Sequence, residues 1–254
     1  MNSPIIITSN PSSLFYEKIE IKFCGHIFWL YADGTCFHVK SKTLIVADMH
    51  LEKAFSQSRA ALLPGYDTKE TLELLEAALN RNLTQNCVFL GDSFHNAMTA
   101  QSLADPYREK LQQLSQINHF TWVIGNHDPI LPNFLIGEQC HSTFIDKIEL
   151  RHQLERQGYE EQITPETGQI TPETGQIIGH YHPKAKLKLR AGKASGKCFI
   201  FDKKLMIIPA FGVSTGGLNI TDKAISKLFS NTPDVYFCYK TKLYHIHDVA
   251  NLRK

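Results

Sequence analysis

The sequence predicts an α/β fold in which a largely parallel sheet is covered by helices. Apolar runs at residues 43–47, 87–90 and 120–124 alternate with helical periodicity at residues 67–79 and from Asp105 onward. Strands alternating with helices in this way build parallel sheets. Each run also stops abruptly at a polar cluster: Asp48-Met49-His50, Gly91-Asp92 and Gly125-Asn126-His127-Asp128. In open α/β sheets, ligands collect beyond the carboxyl ends of the strands.

Residues 28–31 and 35–39 flank Asp33-Gly34, a tight-turn pair that predicts a hairpin. In the helix over residues 67–79, Asp67 is expected to cap, Glu70 to complete a capping box, and Leu72, Leu75 and Leu79 to form the buried stripe. A second helix is expected to begin with Asp105 as cap and Pro106 in its first turn, with Leu111 and Leu114 inward. From Thr143 the pattern is strand-rich and expected to be antiparallel, with one more helix over residues 221–229. No stretch reads as an interdomain linker, so residues 1–254 are expected to form one domain, its core at about residues 20–250. The heptamer ITPETGQ occurs at residues 163–169 and again at 170–176. It has too few apolar residues to pack, which predicts a mobile surface loop over residues 160–177. A duplication there is tolerated because closure entropy grows only logarithmically with length.

Composition excludes more than it selects. A net charge of +2 does not announce a nucleic-acid partner, so any electrostatic argument is local. The N-terminal MNSPIIITSNPSS lacks a basic region and a long apolar run, so no signal peptide is expected, and no segment has the length of a membrane span. The six cysteines form no C-x-x-C pair, which reads as reduced thiols in a cytoplasmic protein. The unusual feature is the twelve histidines, several of them beside carboxylates.

Asp48 and His50 stand two apart at a strand end, glycines precede Asp92 and Asn126, and Gly179-His180-Tyr181-His182 repeats the two-residue spacing. Imidazole with carboxylate suits Mn, Fe or Zn better than calcium. The set exceeds what one ion needs, so two divalent ions sharing Asp92 is the economical reading. Such a pair keeps positive charge in excess of its carboxylates, which suits in-line attack at phosphorus.

D-x-H, G-D-x-x-H, G-N-H-D and G-H-x-H in this order resemble the calcineurin-like metallophosphoesterases. VADMHLEKA, LLPGYDT, LGDSFH, IGNHDP, GHYHPKAKL and PAFGVSTGGL resemble more closely the bacterial DNA-ligase-associated metallophosphoesterases, described as DNA endonucleases, from Thr43 to Leu218. The resemblance implies a four-layer α/β/β/α sandwich and a Mn-dependent di-metal centre. Carried over, Asp48, His50, Asp92 and His182 would hold one ion, and Asp92, Asn126, His152 and His180 the other. The pattern needs a lone histidine before G-H-x-H, for which His152 and His141 compete. His152 is preferred because it closes the strand-like run at residues 144–150 and LRH resembles the corresponding segment, whereas His141 sits in a polar turn. His127 is the candidate general acid, with His95 to orient it or contact the phosphate. His95-Asn96 stands where protein phosphatases of this superfamily carry an acid-arginine pair, and G-D-x-F-H resembles the double-strand-break repair nucleases. That favours a phosphodiester, with DNA as the expected substrate. Association with a DNA ligase and with repair helicase or exonuclease components is implied by the resemblance alone.

After the last motif, Lys184, Lys186, Lys188 and Arg190 alternate with Ala185, Leu187 and Leu189, and Lys193 and Lys197 extend the run. Period two puts the cations on one face, either as a solvated edge guard or as a track for a nucleic-acid backbone. Lys53 and Arg59 are weaker candidates for phosphate contact. His245-Ile246-His247 lacks the preceding glycine and reads as structural, and FGVSTGGLNI reads as a tight turn. A phosphatase or phosphodiesterase for small nucleotides is the alternative. A metal-free interaction scaffold is least favoured, because no ligand type is missing.

Overall fold

The computed structural model describes residues 15–52, 66–154, 174–189, 192–213 and 215–247. Among these, the first sheet has seven strands in chain order: β1 (Lys18–Phe23), β2 (His26–Tyr31), β3 (Cys36–His38), β4 (Thr43–Val46), β5 (Asn86–Leu90), β6 (His119–Val123) and β7 (Glu138–Cys140). β1 to β4 form an antiparallel meander, and β4 to β7 are parallel. The Asp33-Gly34 turn forms between β2 and β3. Gly34 takes φ 94°, which a Cβ would disfavour, and Asp33 Oδ1 accepts from the Thr35 N–H and hydroxyl at 2.9 and 2.7 Å.

Helices α1 (Tyr66–Arg81), α2 (Ala97–Gln101) and α3 (Asp105–Ile117) fall between the parallel strands. Neither expected cap precedes its helix; each lies inside the first turn. Helix α1 starts at Tyr66, so Asp67 lies in its first turn, its Oδ1 accepting from the Thr68 N–H at 2.9 Å. In α3 the extended residue is Ala104, which has no capping side chain, and Asp105 sits one step inside with Pro106. There its charge complements the helix dipole.

The second sheet runs β15 (Lys242–Ile246), β14 (Asp234–Tyr239), β12 (Gly192–Phe201), β13 (Leu205–Ile207), β10 (Gly175–Ile178), β9 (Ile148–Arg151) and β8 (Ser142–Ile145), with β11 (Lys184–Leu189) paired to β12. The expectation of an antiparallel second half is corrected here, because β10 is parallel to both β9 and β13. The long connection from β9 to β10 permits that crossover. The loop expected over residues 160–177 is corrected at its end: Gly175, Gln176 and Ile177 are strand residues. Gln176 is buried and donates to Glu149 Oε2 at 2.6 Å. A Cβ on Gly175 would meet Cys24 Sγ at 2.3 Å. Residues 163–173 of the repeat lie outside the described residues.

Three apolar layers result. Phe28, Leu30, Ile45, Val88 and Val123 of the first sheet pack on Leu150, Ile177, Phe199 and Met206 of the second. The other face of the first sheet, with Leu44, Phe89 and Trp122, is covered by Leu72, Leu75, Leu111 and Leu114 of α1 and α3. The outer face of the second sheet carries a thinner cover. The helix expected over residues 221–229 shrinks to α4 (Lys223–Ser226), capped by Asp222, whose side chain accepts from the Ala224 N–H. Ile225, Phe229 and the apolar side of β11 complete that layer. The architecture is thus an α/β/β/α sandwich with one slim outer layer.

Candidate metal centre

The parallel arrangement brings the ends of β4, β5, β6, β9 and β10 to one edge. The Asp48 N–H donates to Gly91 O at 3.2 Å, the His50 N–H to Asp92 O at 2.9 Å, and the Gly179 N–H to His152 O at 3.1 Å. The second sheet joins this edge through the Phe211 N–H, which donates to Ala47 O at 2.8 Å. Asp48, His50, Asp92, His180 and His182 all take left-handed φ, between 44° and 66°. Each such non-glycine residue costs about 1–3 kcal/mol and persists only where its surroundings over-determine it. Neighbouring glycines make the room. A Cβ on Gly91 would meet His152 Nδ1 at 2.5 Å, one on Gly125 would meet Asp92 Oδ1 at 2.2 Å, and one on Gly179 would meet Asp48 Oδ2 at 2.7 Å.

Two groups of side chains here can each hold an ion, Asp48 with His50 and His182, and Asp92 with His152 and His180, their donor atoms within 4.8 Å of one another in each group. In the first, His50 Nε2 and His182 Nε2 are 3.2 Å apart and His182 Nε2 is 3.3 Å from Asp48 Oδ1. In the second, His152 Nε2 lies 2.8 Å from Asn126 Oδ1, 3.1 Å from His180 Nδ1 and 3.4 Å from Asp92 Oδ2. Asp92 Oδ2 is also 4.0 Å from His50 Nε2, so one carboxylate oxygen stands between the groups.

His152 Nδ1 is 2.8 Å from the Leu90 carbonyl oxygen. A carbonyl only accepts, so Nδ1 carries a proton and Nε2 is aimed at the cluster, the orientation a metal-ligating histidine takes from such a partner. Lone pairs of nitrogen and oxygen therefore converge on two points and repel unless a cation or protons separate them. With protons alone, burial would lower the His152 imidazole, but its hydrogen bond to Asp92 and the charges of Asp48 and Asp92 raise it to about 9. Burial likewise opposes the Asp92 charge, yet His152 brings its carboxyl down to about 2. Burial holds His50 at about 4, against the pull of Asp48 and Asp92. The donor set fits divalent ions.

Asp128 is the residue that sequence reasoning left without a role. It is fully buried, and its Oδ1 accepts from the Asp92 and Gly125 N–H groups at 3.1 and 3.0 Å, its Oδ2 from Phe94 N–H at 3.1 Å. It ties the end of β5 to the end of β6. Burial raises its carboxyl to about 6 in spite of those donors. Its place in G-N-H-D was the only signal available.

His127 sits at the rim. Its N–H donates to Asp92 Oδ1 at 2.9 Å, its Nδ1 is 3.1 Å from His95 O, and its Nε2 is 4.0 Å from Asp92 Oδ2. The His95 and His127 rings stack with centroids 5.8 Å apart. His141 is exposed between β7 and β8, whereas His152 is buried in the cluster. Lys184 and Lys186 share one face of β11, while Ala185 and Leu187 turn into the outer core. Lys188 lies in β11, and Lys53, Arg59 and Arg190 lie outside the described residues. FGVSTGGLNI supports the site from behind: the Gly212 N–H donates to Asp48 O at 3.3 Å.

Compared with protein-family models and with curated protein sequences, the chain matches none. Among solved structures it is similar to Pseudomonas putida nuclease MPE, at a TM-score of 0.68 and 22% identity, over 91% of this chain and 100% of that one. The two proteins share a fold.

Proposed function

We propose that the protein is a divalent-metal-dependent phosphodiesterase acting on DNA as a nuclease, with Mn2+ as the favoured ion and DNA repair as its setting. The observation that carries this reading is Asp92 Oδ2 standing between His50 and His152, each with its own ligand group. The nuclease named as a fold neighbour supports it. Asp48, His50, Asp92 and His182 would hold one ion, and Asp92, Asn126, His152 and His180 the other. Bound there, two ions supply Lewis-acid activation of water and charge stabilisation at phosphorus.

The chain's own residues do the rest. His152, fixed by Leu90, and Asp48, accepting the His180 N–H at 3.0 Å, hold the donors in place. His127 is the general acid. The His95 carbonyl occupies Nδ1 and leaves Nε2 facing the site, and Nε2, when protonated, can deliver its proton to the departing alkoxide. His95 positions His127.

Cleavage of single- and double-stranded DNA by the Mn2+-loaded protein and by Asp92→Asn tests the proposal. Outer partners of a metal site are worth 10–100-fold, so loss of a bridging ligand is expected to lower the rate by roughly 100-fold or more. Equal rates would overturn the reading. Hydrolysis of bis(p-nitrophenyl) phosphate without DNA cleavage would transfer it to small nucleotides.

A further inference from the structure

Beside the Asp48, His50 and His182 group lies a cavity of about 270 Å³ whose lining includes Tyr16, Lys184, Ser195, Lys197, Thr215 and Lys240. Lys184 begins two residues after His182. Gly217 backs onto the His182 carbonyl, where a Cβ would come within 2.2 Å, and Gly212, also in the lining, bonds to Asp48 O. Cavity and ligand group therefore share a wall.

Lys184 and Lys197 are direct cross-strand partners between β11 and β12, an arrangement that disfavours like charges. Their amines end on neutral acceptors. Lys184 Nζ donates to Thr215 O at 3.2 Å and Lys197 Nζ to Asp33 O at 2.6 Å. Each ammonium has three donors, so both retain capacity. The nearby Asp33 carboxylate is engaged by Arg81, Thr35 N–H and the Thr35 hydroxyl. Among the described residues no carboxylate lies in ion-pair distance of Lys184, Lys197 or Lys240. Burial lowers the Lys197 ammonium from the usual lysine value, against Cys238 and Asp33, and the Lys184 charge adds to the lowering. Folding thus holds two facing cations, with a third at the rim, around a space that shares its wall with the hydrolytic edge.

We propose that this cavity is a subsite for a second, non-reacting phosphate of the substrate, so that the protein takes a polynucleotide strand in preference to an isolated phosphodiester. The proposal rests on the phosphodiesterase reading above. Phosphate oxygens supply the acceptors the two amines lack, and exposed Lys186 and Lys193 continue the same face of the hairpin.

The test separates the two claims. Binding of single-stranded tetrathymidylate to the chelated, metal-free protein is measured over a range of salt concentration, for wild type, Lys240→Gln and Lys184→Gln/Lys240→Gln, with thermal unfolding as the control for folding. The double variant is expected to bind about tenfold more weakly, with a salt slope shallower by about 0.7, the change for one phosphate lost from a single strand, and Lys240→Gln by a smaller part of that change. In the metal-loaded protein, the preference in kcat/KM for a thymidine p-nitrophenyl diester bearing a further phosphate over one without it should fall toward unity. Unchanged binding and an unchanged salt slope in the folded variants overturn the subsite, whatever the catalytic result. Lysine-dependent binding without any diester hydrolysis leaves the subsite standing and overturns the phosphodiesterase reading.

Discussion

His127 and Asp128 adjoin in sequence and do different work. Because His127 is cast as proton donor to the leaving group, His127→Asn should slow DNA cleavage by about 10²-fold or more while barely slowing release of p-nitrophenolate, which leaves without a proton. Equal losses on both substrates would contradict that role, because the substitution keeps the main-chain N–H that Asp92 accepts. Asp128→Ala strands three buried N–H groups, so urea unfolding should show a loss of about 2–4 kcal/mol. His38, far from this edge, gives a pH prediction. Burial, with His26 and Lys40 adding and Asp146 opposing, lowers it to about 4. A folded value below the unfolded one near 6.5 means that the unfolded chain binds the proton first. Stability is full above about 6.5 and is lost as pH falls toward 4. Relative to His38→Gln, the wild type should lose about 2 kcal/mol between pH 7 and pH 5 in urea melts. The candidate ligands were legible because residue type, spacing and preceding glycines were all visible in the chain. The partners of Asp128 were not, since its contact to Asp92 spans 36 positions, and no local pattern announces the left-handed φ of five candidate ligand residues.

At the scale of elements, the repeat makes a clean experiment. Deleting one ITPETGQ copy leaves QITPETGQIIGHYHP intact, so Gly175, Gln176 and the two histidines keep their places relative to β10. Only the connection between Arg151 and Gly175 shortens, from 23 to 16 residues (152–174, less seven). Loop-closure entropy then predicts a gain of about 0.3 kcal/mol, within error of no change in thermal unfolding, with cleavage activity retained. Gly91→Ala should behave oppositely. Its φ of 75° and the 2.5 Å approach to His152 force that ring aside, lowering affinity for one ion while the other site still fills. Strands β2 to β6 were legible because each was short, largely apolar and bounded by turn residues, whereas β1, with its alternating charges, and the polar β7 were not read. The parallel pairing of β9, β10 and β13 was not, because strand direction depends on how the long connections travel. The helix over residues 221–229 failed for a related reason: Ile225 and Phe229 reach the outer core without further helical turns.

For the whole molecule, the candidate ligands come from both sheets, Asp48 and Asp92 from the first and His152, His180 and His182 from the second. Ion binding there would clamp the two sheets together across the core that Ile45, Leu90, Leu150 and Ile177 share. At free ion concentrations about 100-fold above each Kd, binding should add about 2.7 kcal/mol per ion, raising Tm by roughly 10 °C for a chain of this size. The α/β class was legible at this scale because three strands ended in chemistry. The slim outer layer was not, since the period-two alternation of β11 does not say which layer it joins and a four-residue helix leaves little periodicity to read.

The most direct test of the central claim is the metal content of chelated protein that has been reloaded with Mn2+ and desalted. Two ions per chain for the wild type, falling below two in Asp92→Asn with the fold retained, is the predicted result. A folded wild-type chain that retains no ion, or only one under saturating Mn2+, contradicts the account.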